Sequence, residues 1–233
     1  MSSISSDNIR TAVDLVTHAD PRVTAHEIAE QAWGERCYLG LRCDLSALPE
    51  RKPARLELEM RPAELLSFHG FETEREHAAS SDLKQLLLRE RFRLHGVTTL
   101  YVAETSRGRP IYCQWLIRPP EMPRLEDCVS DTYEPLGADE VMLEGAYTFT
   151  EFRGKKAMSD GMWQLLAIAR DEGYASALTY VADDNVPSLR GCAAVGFVPD
   201  HAHVSVRRLT RRRTDRLPVD DAMRARLRTA TGR

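Results

Sequence analysis

The chain of 233 residues, 42% of them hydrophobic, is long enough to bury a sizeable core. No stretch approaches the roughly 18 apolar residues of a membrane-spanning helix, and the N-terminus lacks the basic start and apolar run of a secretory signal. The five cysteines form no Cys-x-x-Cys pair, so neither a disulfide framework nor a zinc site is expected. These features predict a cytoplasmic, reduced, globular protein without a membrane partner.

The charge of the chain is unevenly distributed. The formal net charge is −3, but residues 207–233 hold ten arginines against three aspartates, which leaves the rest of the chain near −10. Such a basic tail is most simply a solvated C-terminal segment, and a docking surface for an acidic partner stays open. No aromatic residue lies among these arginines, so base stacking, and with it a nucleic-acid partner, is not expected.

Residues 1–50 predict an N-terminal helical extension. Apolar residues at helical spacing lie in 8–16, and a capping box at Thr24 precedes a second helix. Residues 37–43 predict a short strand, and the Pro-containing stretch 47–53 predicts a linker. The extension is not basic, so a helix-turn-helix DNA reader is not favoured.

The rest of the chain alternates between strand-like and helix-like patterns. In order, it predicts a strand at 55–60, a helix at 82–94, strands at 98–104 and 111–117, a loop at 118–139, a strand at 140–149, a helix at 155–172, a strand at 175–182, a helix at 187–195 and closing strand residues up to 209. This order predicts a mixed α/β domain over 51–210, with a partly parallel sheet flanked by helices and a basic tail at 211–233.

Two segments are the most informative: Tyr147-Thr-Phe-Thr-Glu-Phe-Arg-Gly-Lys-Lys-Ala-Met158 and Asn185-Val-Pro-Ser-Leu-Arg-Gly-Cys-Ala-Ala-Val-Gly-Phe197. A strand that runs into a turn at the start of a helix aims unpaired N–H groups and the positive end of the helix dipole at one point, which suits a pyrophosphate. The two segments resemble the cofactor half of the GCN5-related N-acetyltransferase (GNAT) family. That family has an Arg/Gln-x-x-Gly-x-Gly/Ala turn before one helix and an Asn before a later helix that closes on Gly-Phe.

The resemblance covers about residues 55–210 in element order and is motif-specific only over about 140–197. It implies a GNAT-like fold and an N-acetyltransferase that moves acetyl from acetyl-CoA, or another acyl from its CoA ester, to a primary amine of a small molecule or peptide. By position, backbone at Ala146, Tyr147 and Thr148 would meet the pantetheine arm, together with Asn185 and Ser188. The pyrophosphate would lie on the turn, whose residues are Arg153, Gly154, Lys155, Lys156, Ala157, Met158 and Ser159.

The turn departs from the family motif at two positions. Lys156 and Met158 stand where the family has glycine and glycine or alanine, and glycine matters where a chain approaches a ligand closely. Backbone N–H donation does not depend on the side chain, and two adjacent lysines add positive charge beside an anion. The alternative is an ordinary strand–turn–helix, in which lysines at a helix start cost about 0.3–1 kcal/mol each.

Four residues are candidates for acid–base chemistry. Glu144 lies among apolar strand residues, so it faces a cleft or is buried with a raised pKa, and it is the preferred base. By the resemblance, the acid that protonates the leaving thiolate stands seven residues after Asn185. Cys192 occupies that position and either donates a proton or is simply a small buried side chain. Tyr180 stands where some relatives carry a base, and Tyr147 is a wall of the cleft or a further acid.

Two other classes of function stay open. One is an acyltransferase that takes its acyl group from an acyl carrier protein, whose acidity would suit the basic tail. The other is a non-catalytic acyl-CoA-binding regulator. His201 and His203 share one strand face, but without a third ligand no metal is expected. The acidic body favours an amine or cationic acceptor, and a homodimer is left open.

Overall fold

The computed structural model describes residues 33–64, 68–76, 80–97, 99–128, 133–208, 211–221 and 223–225. Their strands form one eight-stranded sheet, in the order β2-β3-β4-β5-β6-β1-β7-β8. The strands are β1 (Trp33–Asp44), β2 (Arg61–Pro62), β3 (Leu100–Glu104), β4 (Pro110–Ile117), β5 (Glu140–Thr148), β6 (Ser176–Ala182), β7 (Val198–Arg208) and β8 (Arg211–Pro218). The helices are α1 (Gly70–Arg75), α2 (Ser80–Leu94), α3 (Met122–Cys128), α4 (Ala157–Asp171) and α5 (Val186–Ala194), with short 3-10 turns at Leu45–Ala47, Pro119–Glu121 and Thr150–Phe152.

The predicted mixed, partly parallel sheet is confirmed. β5 and β6 are parallel and connected through α4, and the other neighbouring strands are antiparallel. The parallel ladder covers only three residue pairs, from Glu140↔Ser176 to Met142↔Leu178. Beyond Met142 the two strands separate, and this opening positions the site described below. No helix among the described residues is long and apolar enough to cross a bilayer.

The predicted domain boundary at residue 50 would separate β1 from the other strands of its sheet. β1 lies between β6 and β7 and is antiparallel to both, with pairs such as Tyr38↔Ala182 and Tyr38↔His203. Residues 33–44 are therefore an internal strand rather than part of a helical extension. The helices predicted for 8–32 lie outside the described residues. Local patterns recognise a strand at 37–43 but not its neighbours, because its partners are more than a hundred residues away.

The boundary predicted at residue 210 also falls within the sheet. β8 pairs with β7 from His201↔Pro218 to Arg208↔Arg211, so residues 211–218 are an edge strand and not a solvated tail. Charged side chains on an edge strand discourage pairing with another chain. The arginine-rich composition is thus compatible with a structural position that a charge count alone does not reveal.

The segment predicted as a linker and a strand at 47–60 instead packs along α4. Leu58 and Met60 are buried while Glu57 and Glu59 are exposed, so buried and exposed side chains alternate here as they would in a strand. The backbone of this segment, however, bonds to α4 and not to a strand: Met60 N–H donates to Gln164 Oε1 at 3.0 Å, and Gln164 Nε2 donates to Leu58 O at 3.0 Å. No strand forms there because a helix side chain supplies the hydrogen bonds.

A buried carboxylate also holds this segment against α4. Asp160, 1% exposed, accepts from Arg51 Nε at 2.7 Å and from Ala54 N–H at 2.8 Å. Trp163 Nε1 donates to Pro49 O at 2.8 Å. Since each bond leaves from the start or middle of α4, the segment fixes the helix that begins at the predicted cofactor turn.

Aromatic rings fill the core on the side of α1 and α2. Trp115 of β4 is fully buried, lies face to face with Phe71 and edge-on to Phe92, and donates Nε1–H to Val97 O at 2.8 Å. Gly145 of β5 lies against this ring with φ of +67°, and a Cβ there would come within 2.7 Å of Trp115 Cε3. Both its conformation and its packing therefore require glycine.

Replacing Gly145 by alanine is expected to destabilise the fold more than the same change at Gly173. Gly173 also has a positive φ, of +94°, but a Cβ added there would meet no atom within 4 Å. Conformational strain of about 1–2 kcal/mol applies to both variants, and overpacking adds about 1–3 kcal/mol only in G145A. Urea denaturation measures both losses. Equal losses would mean that the core relaxes freely around residue 145.

Candidate active site

A cleft of about 190 Å³ opens where β5 and β6 separate. Glu144, Gly145 and Ala146 line it from β5, and residues 179–182 line it from β6. The helices contribute Met158 and Met162 from α4, Cys192 from α5, and Asn185 and Ser188 at the start of α5. The structure thus brings together seven of the residues predicted from sequence for catalysis or cofactor binding: Glu144, Ala146, Met158, Tyr180, Asn185, Ser188 and Cys192.

A bulge in β5 shapes this opening. The register between β4 and β5 shifts between Cys113 and Trp115, so β5 holds an extra residue beside Gly145. The Gly145 N–H donates to Glu144 Oε1 at 2.8 Å instead of to a strand. Gly145 and Ala146, the two residues after Glu144, therefore lie outside both neighbouring ladders.

Glu144 is half-buried at this bulge, which fits the predicted cleft carboxylate. Burial raises its pKa above the ordinary value, while the Gly145 N–H, the charge of Arg89 and a hydrogen bond from Tyr133 act in the opposite direction. A base with a raised pKa is better matched to proton transfer near neutral pH than an ordinary carboxylate. Arg89 and Tyr133 both line the cleft, and neither was identified from the sequence, because a helix and a loop far from the motif supply them.

Cys192 and Tyr180 remain protonated at physiological pH. Cys192 is fully buried in the cleft wall, and burial raises its pKa to about 12. Burial raises the pKa of Tyr180 to about 12, with the nearby Glu134 acting in the same direction. Of the two alternatives for Cys192, a proton donor or a small buried side chain, its complete burial fits the second, and it is a weaker acid than an ordinary thiol.

Tyr147 lies outside the cleft, contrary to its predicted place in the wall. Its hydroxyl donates to Glu74 Oε1 at 3.1 Å, and its ring lies between the guanidinium groups of Arg89 and Arg153, at 5.1 and 5.5 Å. Successive side chains of a strand point to opposite faces, so Ala146 lines the cleft and Tyr147 does not. Any contact of Tyr147 with a cofactor would have to come from its backbone.

The predicted pyrophosphate turn has two left-handed residues, Gly154 with φ of +75° and Lys156 with φ of +64°. Lys156 is the non-glycine residue with positive φ among the described residues, and it stands where the family motif has glycine. The left-handed conformation costs a residue with a Cβ about 1–2 kcal/mol. Lys156 thus has a left-handed backbone conformation of the kind that glycine adopts most readily.

Lys156 is also the N-cap residue of α4, and its side chain makes no capping bond. The N–H groups of residues 157–159 that follow have no partner within the helix and lie at the positive end of its dipole. An anion at this end would meet the three predicted residues Ala157, Met158 and Ser159. Met158 also contacts α5, since its Sδ lies 3.2 Å from where a Cβ of Gly191 would be.

The cations of the turn differ in what they contact. Arg153 pairs with Asp82 at 3.0 Å and donates to Thr148 O at 3.2 Å, so it fastens the turn to α2 and β5. The Lys155 ammonium lies 5.0 Å from the centre of the Phe152 ring. The side chain of Lys156 is exposed. Lys156 therefore has more freedom to meet an anion than the other two.

Asn185 is the N-cap residue of α5, as predicted, and its Oδ1 accepts from the Ser188 N–H at 3.2 Å. The cap bond engages one of the two lone pairs of the amide oxygen, and the amide NH₂ makes no part of it. Asn185 can therefore begin the helix and still offer a polar group to the cleft.

A second polar cluster lies beside the cleft. Glu134, His201 and His203 place potential metal ligand atoms within 4.8 Å of one another, so Glu134 supplies the third ligand that the sequence did not reveal. Arg216 Nε lies 3.0 Å from Glu134 Oε1, and its Nη2 lies 3.3 Å from His201 Nδ1. The guanidinium of Arg216 thus contacts two of the three side chains of this cluster, Glu134 and His201.

Comparisons with solved structures identify the fold. No protein-family model matches the sequence, and no curated protein is significantly similar to it. The structure is similar to a glucosamine N-acetyltransferase region of a fungal multi-domain GH3 β-N-acetylglucosaminidase, with a TM-score of 0.52 and 14% identity over 78% of this chain and 22% of that one. The chain has the GNAT fold.

Two further GNAT proteins are similar at lower scores. One is an acetyltransferase from Colwellia psychrerythraea, with a TM-score of 0.47 and 15% identity over 80% of this chain and 60% of that one. The other, from Sphaerobacter thermophilus, has a TM-score of 0.48 and 13% identity over 85% of this chain and 58% of that one. The chain thus spans less than two thirds of the length of each of these proteins.

Cys192 in this GNAT-like cleft is expected to resist alkylation. Its raised pKa leaves almost no thiolate at pH 8, and the thiolate is the reactive form. Iodoacetamide followed by peptide mass mapping should label the half-buried Cys37 at least about tenfold faster than Cys192. Rapid labelling of Cys192 in the folded protein would contradict its burial and the direction of its pKa.

Proposed function

We propose that the protein is an acyl-CoA-dependent N-acyltransferase, with acetyl-CoA as the first donor to test and a primary amine as acceptor. The observation that carries this proposal is the opening between β5 and β6, which combines a half-buried Glu144 with the free N-terminus of α4 on a GNAT fold. The similar proteins named above are acetyltransferases, which supports the class of reaction.

The cofactor would lie along the opened edge of β5. The Phe149 N–H donates to Ile111 O at 3.1 Å, so Phe149 and, by alternation, Tyr147 direct their backbone groups towards β4. Thr148 then directs its backbone N–H towards the opening, where a carbonyl of a pantetheine arm could accept from it, while its own carbonyl accepts from Arg153. The diphosphate would follow at residues 157–159, at the positive end of α4.

Glu144 would act as the base, directly or through one water. It would take a proton from the acceptor ammonium, and the neutral amine would attack the thioester carbon. The tetrahedral oxyanion would be stabilised by a backbone N–H near the β5 bulge. When the C–S bond breaks, the CoA thiolate would take up the proton that the attacking nitrogen loses, directly or through water. Cys192, with a pKa of about 12, is less acidic than an ordinary thiol near 8.5, so we assign it to the cleft wall rather than to this step.

The acceptor would enter from the side of β1, β7 and β8. This part of the cleft is lined by neutral polar and aromatic side chains, among them Tyr38, Tyr133, Tyr180, Ser205 and Thr214. These strands lie on the far side of β6 from the cofactor turn. The donor and the acceptor would thus meet at Glu144 from opposite directions.

Acetyl-CoA binding tests the cofactor half. Acetyl-CoA at 100 times its dissociation constant should stabilise the protein by about 2.7 kcal/mol, seen as a rise in melting temperature. In calorimetric titrations Lys156→Glu should weaken acetyl-CoA binding by about 1 kcal/mol, which is a several-fold loss of affinity. The loss is expected because the exposed ammonium of Lys156 adjoins the helix end. Lys155→Glu is the matched control with a smaller effect, because its ammonium lies over Phe152. Equal affinity in wild type and K156E would contradict this placement of the diphosphate.

Glu144→Gln tests the chemistry. In the wild type the rate should rise with pH through the raised pKa of Glu144, because only the carboxylate form accepts a proton. The variant should lose this acid limb and about 100- to 10,000-fold in kcat, with unchanged affinity for acetyl-CoA. Glu151→Gln, at an exposed ion pair with Arg109, is the control and should retain full turnover. An E144Q protein that binds acetyl-CoA and turns over normally would remove Glu144 from the mechanism.

A further inference from the structure

Arg89 of α2 is a buried arginine that forms no direct ion pair with a carboxylate in the part of the chain that the structure describes. It is 5% exposed. Its Nε donates to Gly145 O at 2.8 Å, its Nη2 donates to Ala146 O, and its Nη1 donates to the backbone and side-chain oxygens of Gln85. Each of these acceptors is a neutral carbonyl oxygen.

Burying this guanidinium costs free energy, and its hydrogen bonds to β5 are all made at the bulge. Removing a charge from water without an opposite charge costs several kcal/mol, partly offset by hydrogen bonds. Two of the acceptors are the consecutive carbonyls of the β5 bulge. Pairing with β6 ends at Met142, and the register with β4 shifts beside Gly145. Arg89 therefore bonds carbonyls at the point where the regular ladders are interrupted.

The bonds to these carbonyls also fix the directions of two N–H groups. In a trans peptide the C=O and the following N–H point to opposite sides of the chain. Holding Gly145 O sets the direction of the Ala146 N–H, and holding Ala146 O sets that of the Tyr147 N–H. The Tyr147 N–H is directed towards β4, whereas the Ala146 N–H lies within the bulge, two residues after Glu144.

Arg89 also acts electrostatically on Glu144. The titratable groups that face Glu144 from the surrounding elements are Arg89 from α2, Tyr133 from the segment before β5, and Cys192 from α5. Arg89 is the cation among them. It therefore favours the carboxylate form of Glu144, against the effect of burial.

We propose that Arg89 is a positioning residue for acyl transfer: its guanidinium holds the Gly145 and Ala146 carbonyls, and so orients the β5 amides, and it places a positive charge near Glu144, the proposed base. This inference rests on the proposed function. It assigns no contact between Arg89 and the substrate, because its N–H donors are directed at protein oxygens.

Two substitutions separate the two effects. Arg89→Met removes the charge and the donors, whereas Arg89→Lys keeps the charge but not the planar fork that reaches several oxygens at once. Arg109→Met, at an exposed ion pair with Glu151, is the matched control. Each folded variant is studied by ¹³C NMR titration of Glu144, assigned with Glu144→Gln, by amide exchange at residues 146 and 147, and by the pH dependence of acetyl transfer.

In R89M we expect the Glu144 pKa to rise and the acid limb of the rate profile to move to higher pH with it. Amide exchange at residues 146 and 147 should accelerate. The kcat should fall at least about tenfold, as for a misplaced reacting group. R89K should leave the Glu144 pKa near that of the wild type yet still lower kcat and accelerate exchange. R109M should change none of these. A folded R89M with unchanged Glu144 titration, or an R89K with unchanged turnover and exchange, would overturn the proposal.

The NMR and exchange measurements need no substrate. If the wild type acetylates no amine, the proposed function fails, while the effect of Arg89 on Glu144 and on the two amides is still decided. If R89M does not fold, R89K decides the orienting role by amide exchange at residues 146 and 147 compared with Val102 of β3. Unchanged exchange at those two amides would then refute it.

Discussion

The early end of the parallel ladder between β5 and β6 is the constraint on which the rest of the site depends. Three residue pairs hold the strands together, and beyond Met142 the bulge at Gly145 directs β5 away. A continuous ladder would pair the backbone groups of β5 and fill the space that now forms the cleft. The bulge is held on one face by Trp115, which leaves no room for a Cβ, and by Arg89, which bonds its carbonyls.

The other half of the site depends on α4 being held in place at its N-terminal end. Asp160, Trp163 and Gln164 bond the segment 49–60, and Arg153 fastens the preceding turn to α2 and β5. With the helix fixed from both sides, the chain can hold Lys156 in a left-handed conformation that a residue with a Cβ does not favour. At the position where the family motif has glycine, this chain therefore holds a lysine in a left-handed conformation.

The sequence-based predictions were most accurate where one short segment carries its own signal. The helix-period pattern before Gly173 predicts α4 to within two residues at its start and one at its end, and Asn185 is recognisable as the cap of α5. Glu144, a carboxylate among apolar strand residues, was expected either to face a cleft or to be buried with a raised pKa. In the structure it lines the cleft, and burial raises its pKa. Tyr147 was misplaced, since the bulge and strand alternation that turn it away are not visible in the motif.

By itself the sequence determined the order of the longer elements from β3 to β7, the GNAT-like class of the fold and the position of the turn before α4, because each depends on local periodicity and a short motif. It missed the short helices α1 and α3. Only the tertiary structure decided that β1 lies inside the sheet, that β8 is an edge strand, and that Arg89 and Tyr133 surround Glu144. These relations join residues from three to 175 positions apart, from Arg208↔Arg211 to Trp33↔Arg208. They depend on which buried surfaces and unpaired backbone groups meet once the chain is compact, and local patterns do not encode that.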